Sequence, residues 1–192
     1  MTALRKTDEK YNYADYLTWT DENERWEIIE GVPYMMSPAP RRKHQKVSGE
    51  LFGIIWDYLK GKKCEVYSAP FDVRLGEKNN DEEVETVVQP DISVICDEEK
   101  LDDKGCMGAP DLIVEILSPS TSKKDKFEKF YLYEKYGVRE YWLVEIEEKL
   151  ITVFKLQKDG KYGRPDIYSV ESDDIKVGIF DDLEVNVKEI LE

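Results

Sequence analysis

Leu112-Ile113-Val114-Glu115-Ile116-Leu117 is the stretch on which the fold turns. A short, nearly continuous apolar run suits a strand buried on both faces. Strand side chains alternate, so Glu115 shares a face with Ile113 and Leu117. An ionised carboxylate there costs several kcal/mol unless it is paired or bound to metal. Glu115 is therefore half of a buried ion pair, a carboxylate at the wet end of a strand, or a ligand.

Working outward, Asp91 follows Pro90 and opens the apolar run Ile92-Ser93-Val94-Ile95-Cys96. Pro-Asp at a strand start is ordinary turn chemistry. Beside Glu115, however, it is a second strand-borne acid, and two carboxylates from neighbouring strands would make a hard oxygen site. Such a site stabilises charge developing on a phosphodiester and lowers the pKa of bound water. A lysine nearby would orient the water or neutralise the phosphate. On the helix expected over residues 123–136, Asp125, Lys129, Leu132, Tyr133 and Tyr136 form one stripe. Phe127, Phe130 and Tyr131 form a rival stripe. If the first faces the sheet, Lys129 points inward; if not, Asp125 and Lys129 make an exposed ion pair. Glu30 follows Trp26 and Ile28 at period two and is the preferred third acid, ahead of Glu50 beside the apolar face of the preceding helix.

The rest of the chain supplies the frame. A short helix is expected at 12–20 and a turn at 21–24. A hairpin follows, with arms 25–29 and 32–36 around Glu30-Gly31, and the segment from Ser37 to Pro40 stops it. Residues 41–60 form the clearest helix, with Val47, Leu51, Ile54, Ile55 and Tyr58 at helical spacing. Strands follow at 64–68, 71–75, 87–88 and 91–96, with an acidic turn at 79–81. Residues 97–110 read as a polar loop, and further strands at 140–144 and 150–156 precede weak strand signals. The order predicts an α/β or α+β fold, with a mixed central β-sheet flanked by the two main helices, in a single domain spanning 1–192.

Composition narrows the chemistry. Hydrophobic residues make up 41% and charged residues 36%, as in a globular protein. No run of about 18 apolar residues is present, so no membrane span is expected. The polar N-terminus has no apolar secretory region. Three cysteines at wide spacing are not read as a disulfide framework; Cys64 and Cys96 are expected as buried thiols, in a reducing cytoplasm. A single histidine, His44, excludes a His-rich site, so a bound metal is Mg²⁺, Mn²⁺ or Ca²⁺ rather than zinc. The net charge of −14 opposes nucleic-acid binding by the whole surface. Basic clusters at 41–46, 60–63 and 123–126 offset this locally, although such clusters commonly form solvated faces. No G-x-S-x-G, P-loop or G-x-G-x-x-G motif occurs.

Several segments together resemble the Uma-type family of restriction-endonuclease-like proteins in the PD-(D/E)XK nuclease superfamily. They are Trp26-Glu27-Ile28-Ile29-Glu30-Gly31, Met36 to Pro40 with His44 after it, and Gln89-Pro90-Asp91-Ile92-Ser93-Val94. Gly108 through Ser120 and Lys129 through Val144 complete the set, so the resemblance covers about residues 25–157. It implies a metal-dependent DNA endonuclease using Mg²⁺ or Mn²⁺, with Asp91 and Glu115 as the metal-binding acids. The superfamily lysine stands two residues after the second acid, where this chain has Leu117; Lys129 on the following helix is implied in its place. Asp111, also preceded by proline, is a decoy on Glu115's own strand. DNA is the implied partner, and a homodimer would supply two sites for duplex cleavage. Two alternatives stay open: a noncatalytic module binding nucleic acid or protein, and a hydrolase of smaller phosphoesters.

Overall fold

The computed structural model describes residues 10–19, 24–36, 39–76, 80–118, 124–172 and 174–192. Residues 21–23 of the expected turn, Ser37 and Pro38 of the stop, Asn79 of the acidic turn and the segment 119–123 lie outside the described residues.

The fold is mixed α and β, as expected, and its centre is a six-stranded sheet. Its order is Asp166–Ser169, Leu150–Lys155, Glu140–Glu145, Leu112–Ile116, Ile92–Ile95, Glu65–Ser68. The Leu112–Ile116 and Glu140–Glu145 strands pair in parallel; the other pairs are antiparallel. A parallel pair needs a crossover connection. Here it contains one helix that begins as a π-helical turn over Lys124–Lys129 and continues as α-helix over Phe130–Tyr136. Gly137 ends it at φ 83°, a left-handed cap that glycine adopts without steric cost.

Period-two alternation sorts the central strands between two cores. Leu112, Val114 and Ile116 join Ile92 and Val94 against helix Arg42–Leu59, whose Val47, Leu51 and Ile55 are buried. Ile113 and Leu117 face the opposite way, toward Leu132, Tyr133 and Tyr141. Glu115 has the parity of Ile113, so it enters this second core, and it is 5% exposed.

That second core is roofed by another six-stranded sheet, which local sequence patterns do not separate from the first. Its order is Val32–Met35, Trp26–Ile29, Val87–Val88, Val73–Arg74, Gly105–Met107, Leu101–Asp102. The expected hairpin over 25–36 is present, as Trp26–Ile29 paired with Val32–Met35. The polar loop expected at 97–110 instead contains a helical turn, Glu98–Lys100, and a short hairpin of Leu101–Asp102 with Gly105–Met107. Gly105 has φ 124°, and a Cβ there would lie 2.2 Å from the Asp72 carbonyl oxygen, so the close approach requires glycine. The helix expected at 12–20 is only Tyr13–Tyr16, closed by an Asn12/Asp15 capping box.

The reading of Cys64 and Cys96 as thiols is also corrected: they form a disulfide, while Cys106 is free and buried. The pairing Glu65↔Ile95 places the two cysteines opposite each other one step further along adjacent strands. Their separation of 32 residues hides this in the sequence. No helix among the described residues is long and apolar enough to cross a membrane.

Candidate functional site

Lys129 is the centre of a buried charge cluster. Its ammonium lies 2.7 Å from Glu115 Oε1, 2.8 Å from Glu27 Oε1 and 3.7 Å from Asp125 Oδ1. All four residues are nearly inaccessible to solvent. The helix settles between its two stripes here: Lys129, Leu132 and Tyr133 are buried, while Phe127 and Tyr131 are more than half exposed. Tyr133, one turn beyond Lys129, also donates from its hydroxyl to Glu115 Oε1 at 2.8 Å. Tyr141 supports the opening turn, its hydroxyl donating to the Asp125 carbonyl at 2.9 Å.

One ammonium cannot neutralise three carboxylates. The electrostatics follow from that imbalance. Burial works against the Lys129 charge, but Glu115, Glu27 and Asp125 raise its pKa well above the ordinary value, so it stays protonated. Burial pushes Glu115 upward; Lys129 pulls it down; Asp125, Asp91 and Glu27 push it up again, to about 8. The two shifts agree physically: the lysine is held charged, and the surplus negative charge falls on the carboxylates.

Asp91 stands opposite Glu115 across the sheet. The antiparallel register pairs Ile92 with Val114, and one step further sets Asp91 opposite Glu115. Asp91 Oδ2 accepts the Ile116 backbone N–H at 2.7 Å. His44, in the first turn of helix Arg42–Leu59, brings Nε2 to 3.3 Å from the same oxygen. Burial opposes protonation of His44, but the Asp91 hydrogen bond and charge outweigh it and its pKa is raised.

The donor set fits a hard cation. Hydrogen bonds to Glu115 land on Oε1 and those to Asp91 on Oδ2. Among the described residues this leaves Glu115 Oε2 and Asp91 Oδ1 without a hydrogen bond. No set of three or more His, Cys, Asp or Glu side chains among those residues is arranged as a metal cage. Mg²⁺ does not require one, since it is commonly held by one or two carboxylates with waters and substrate phosphates completing the shell.

Glu30 is placed elsewhere. It sits in the hairpin turn at φ 50°, next to Gly31 at φ 82°, the pair of positive values that a tight hairpin turn demands. Its carboxylate meets Lys135 on the surface at 2.7 Å, with both side chains more than half exposed. The acid that this hairpin delivers to Lys129 is Glu27, which also accepts the Gln89 backbone N–H at 3.1 Å. Sequence reasoning missed it because Trp26-Glu27-Ile28-Ile29 is shielded on both faces, so alternation could not say which parity points to the site. His44 was missed as a partner of Asp91 because it reads as part of a basic helix start. Glu50 stays on the helix surface, 3.7 Å from Lys46. Asp111 is occupied structurally, accepting from Cys96 N and from Arg139, each at 2.8 Å.

Comparisons with known proteins agree with this architecture. The Uma2 family model, described as "Putative restriction endonuclease", matches residues 13–188. An uncharacterized protein of Synechocystis sp. is 28% identical over 155 residues, covering 80% of this chain and 78% of that one. A crystal structure of "a putative nuclease belonging to DUF820" from Anabaena variabilis has a TM-score of 0.75. It is 21% identical, covering 94% of this chain and 97% of that one. At that identity the likeness establishes a shared fold.

Proposed function

This chain belongs to the Uma2 family, the restriction-endonuclease-like group whose model spans residues 13–188, and from that footing we propose that it is a Mg²⁺- or Mn²⁺-dependent DNA endonuclease. The observation that carries the reading is the buried Lys129–Glu115–Glu27 cluster, with Asp91 opposite Glu115 in the sheet register. Asp91 and Glu115 would hold the cation. When bound, it would supply stabilisation of charge on the phosphodiester and a more acidic water. Lys129 keeps a protonated ammonium beside Glu115, where it orients the attacking water or the phosphate. Glu27 and Tyr133 hold Lys129 and Glu115 in place, and His44 fixes the Asp91 carboxylate. Glu30, the third acid suggested by alternation, yields that place to Glu27. These residues would belong to a single domain, a reading supported by the core that the two sheets share. Cutting both strands of a duplex calls for two such sites, which a homodimer would provide.

The test is nicking of supercoiled plasmid with Mg²⁺ or Mn²⁺, comparing the natural chain with Glu115→Gln and Asp91→Asn. Nicking that needs the metal and is lost in both variants, with unchanged circular dichroism, is the expected result. Failure to cut any DNA form with either metal would overturn the reading. A noncatalytic nucleic-acid or protein-binding module is favoured by one observation: the Lys129 ammonium is already shared among Glu115, Glu27 and Asp125 inside the core. That module predicts no metal-dependent rise in melting temperature.

A further inference from the structure

Beside the second sheet lies an open cavity of about 470 Å³, within the roughly 300–1,000 Å³ range of ligand sites. Its walls include Tyr67 and Phe71, whose rings stack with centroids 4.2 Å and planes 6° apart. The Tyr67 hydroxyl donates to Glu65 at 2.6 Å, which holds this flat π surface in position. The polar edge of the cavity is the Asp72 carboxylate. It accepts from Gln89 Nε2 at 2.8 Å, from Tyr13 at 3.1 Å and from Tyr16 at 3.3 Å. A carboxylate has about four acceptor sites, so three donors leave capacity for another. Asp102 and Asp103 also line the cavity, Asp102 paired with Arg74, and the one lysine of the lining, Lys104, is paired with Asp81, so the rim is acidic on balance and disfavours phosphate inside it. A ligand suited to these walls is flat and aromatic, presents N–H donors at its edge, and keeps its negative charge outside.

Backbone connections join the cavity to the Asp91 segment. Gln89, which lines it, donates its backbone N–H to Glu27, and Gln89-Pro90-Asp91 are consecutive. Ala69, next to Pro70 and Phe71 of the rim, donates its backbone N–H to the Asp91 carbonyl at 3.1 Å.

We propose that this cavity is a nucleobase pocket, taking an unstacked base from a single-stranded or locally unpaired nucleic acid whose phosphate backbone runs toward Asp91 and Glu115. The proposal rests on the nuclease reading for the direction of the strand and extends it to the form of the substrate. Stacking on Tyr67 and Phe71 is tolerant of base identity, whereas the Asp72–Gln89 edge favours bases bearing N–H donors.

The experiment measures binding of a fluorescent single-stranded decamer by anisotropy in EDTA, where no metal-dependent cutting occurs. Its partner is a decamer of equal charge whose central bases are replaced by abasic sites. The natural chain should bind the abasic decamer about tenfold to a hundredfold more weakly, the size of a base–aromatic stacking contact. Phe71→Ala should bind the normal decamer with a similar loss and show little further loss on the abasic one, while Phe71→Tyr keeps most of the affinity. Equal binding of the two decamers by the natural chain would overturn the pocket, and so would no binding at all; neither result depends on a variant that must fold. If base-dependent binding is found but plasmid nicking is absent, the nuclease reading fails and the pocket stands. If nicking is found but binding ignores the bases, the pocket fails and the nuclease reading stands.

Discussion

Replacing Lys129 by methionine tests the charge cluster most directly. Methionine fills similar space without the ammonium, so Glu115, Glu27 and Asp125 lose the cation that lies 2.7, 2.8 and 3.7 Å away. Removing one partner of a buried ion pair costs about 3–5 kcal/mol, because the remaining charge is left uncompensated. At about 2–4 °C per kcal/mol for a domain of this size, the melting temperature should fall by roughly 6–20 °C near pH 8. The loss should shrink in acid. Glu115 already has a folded-state pKa raised from 4.5 to about 8, and removing Lys129 takes away the group that pulls it down. A carboxyl whose folded pKa is raised favours the folded state when protonated and loses that contribution as pH climbs from about 4.5 through the folded value. The variant should therefore approach the natural chain near pH 5 and fall furthest below it at pH 8. Thermal melts followed by circular dichroism at both pH values provide the measurement. A variant that melts with the natural chain at pH 8, or whose deficit grows in acid, would contradict this electrostatic account.

Other outcomes follow from the same geometry. Mg²⁺ at about ten times its dissociation constant should stabilise the protein by about 1.4 kcal/mol, a rise of roughly 3–6 °C that Asp91→Asn abolishes; an undiminished rise in that variant would place the cation elsewhere. Glu30→Ala removes an exposed pair with Lys135 worth at most about 1 kcal/mol, so nicking should persist, whereas Glu27→Gln should slow it at least about tenfold, the lower end of a supporting-residue effect; the initial rates decide, and the opposite order would return Glu30 to the site. Under denaturing, non-reducing conditions, thiol titration should find one free thiol per chain, Cys106, with Cys64 and Cys96 bonded; three thiols would contradict the pairing.

Much of the scaffold was legible locally. The parity of Leu112 to Leu117 put Glu115 in a core, and helix Arg42–Leu59 appears within one residue of each expected end. The hairpin around Glu30-Gly31 was equally clear. Four strands of the second sheet were expected as well, in the hairpin and at 71–75 and 87–88, but not that they form a sheet of their own, because pieces as short as Val73–Arg74 and Val87–Val88 say nothing of their partners. Its hairpin at 101–107 turns through Asp102, Asp103, Lys104 and Gly105, a polar stretch that reads as a loop.

Within the site, Asp91, Glu115 and Lys129 were nameable from residue type, spacing and family resemblance, since a carboxylate in an apolar strand demands an explanation wherever the chain folds. Which stripe of the 124–136 helix turns inward, whether Glu27 or Glu30 reaches the lysine, and which cysteines face each other were decided only in three dimensions. Local sequence sets which residues share a face, because that depends on backbone period alone. Which face is buried, and against what, depends on strand register and layer packing, and those are set by contacts between residues as distant as Glu27 and Lys129.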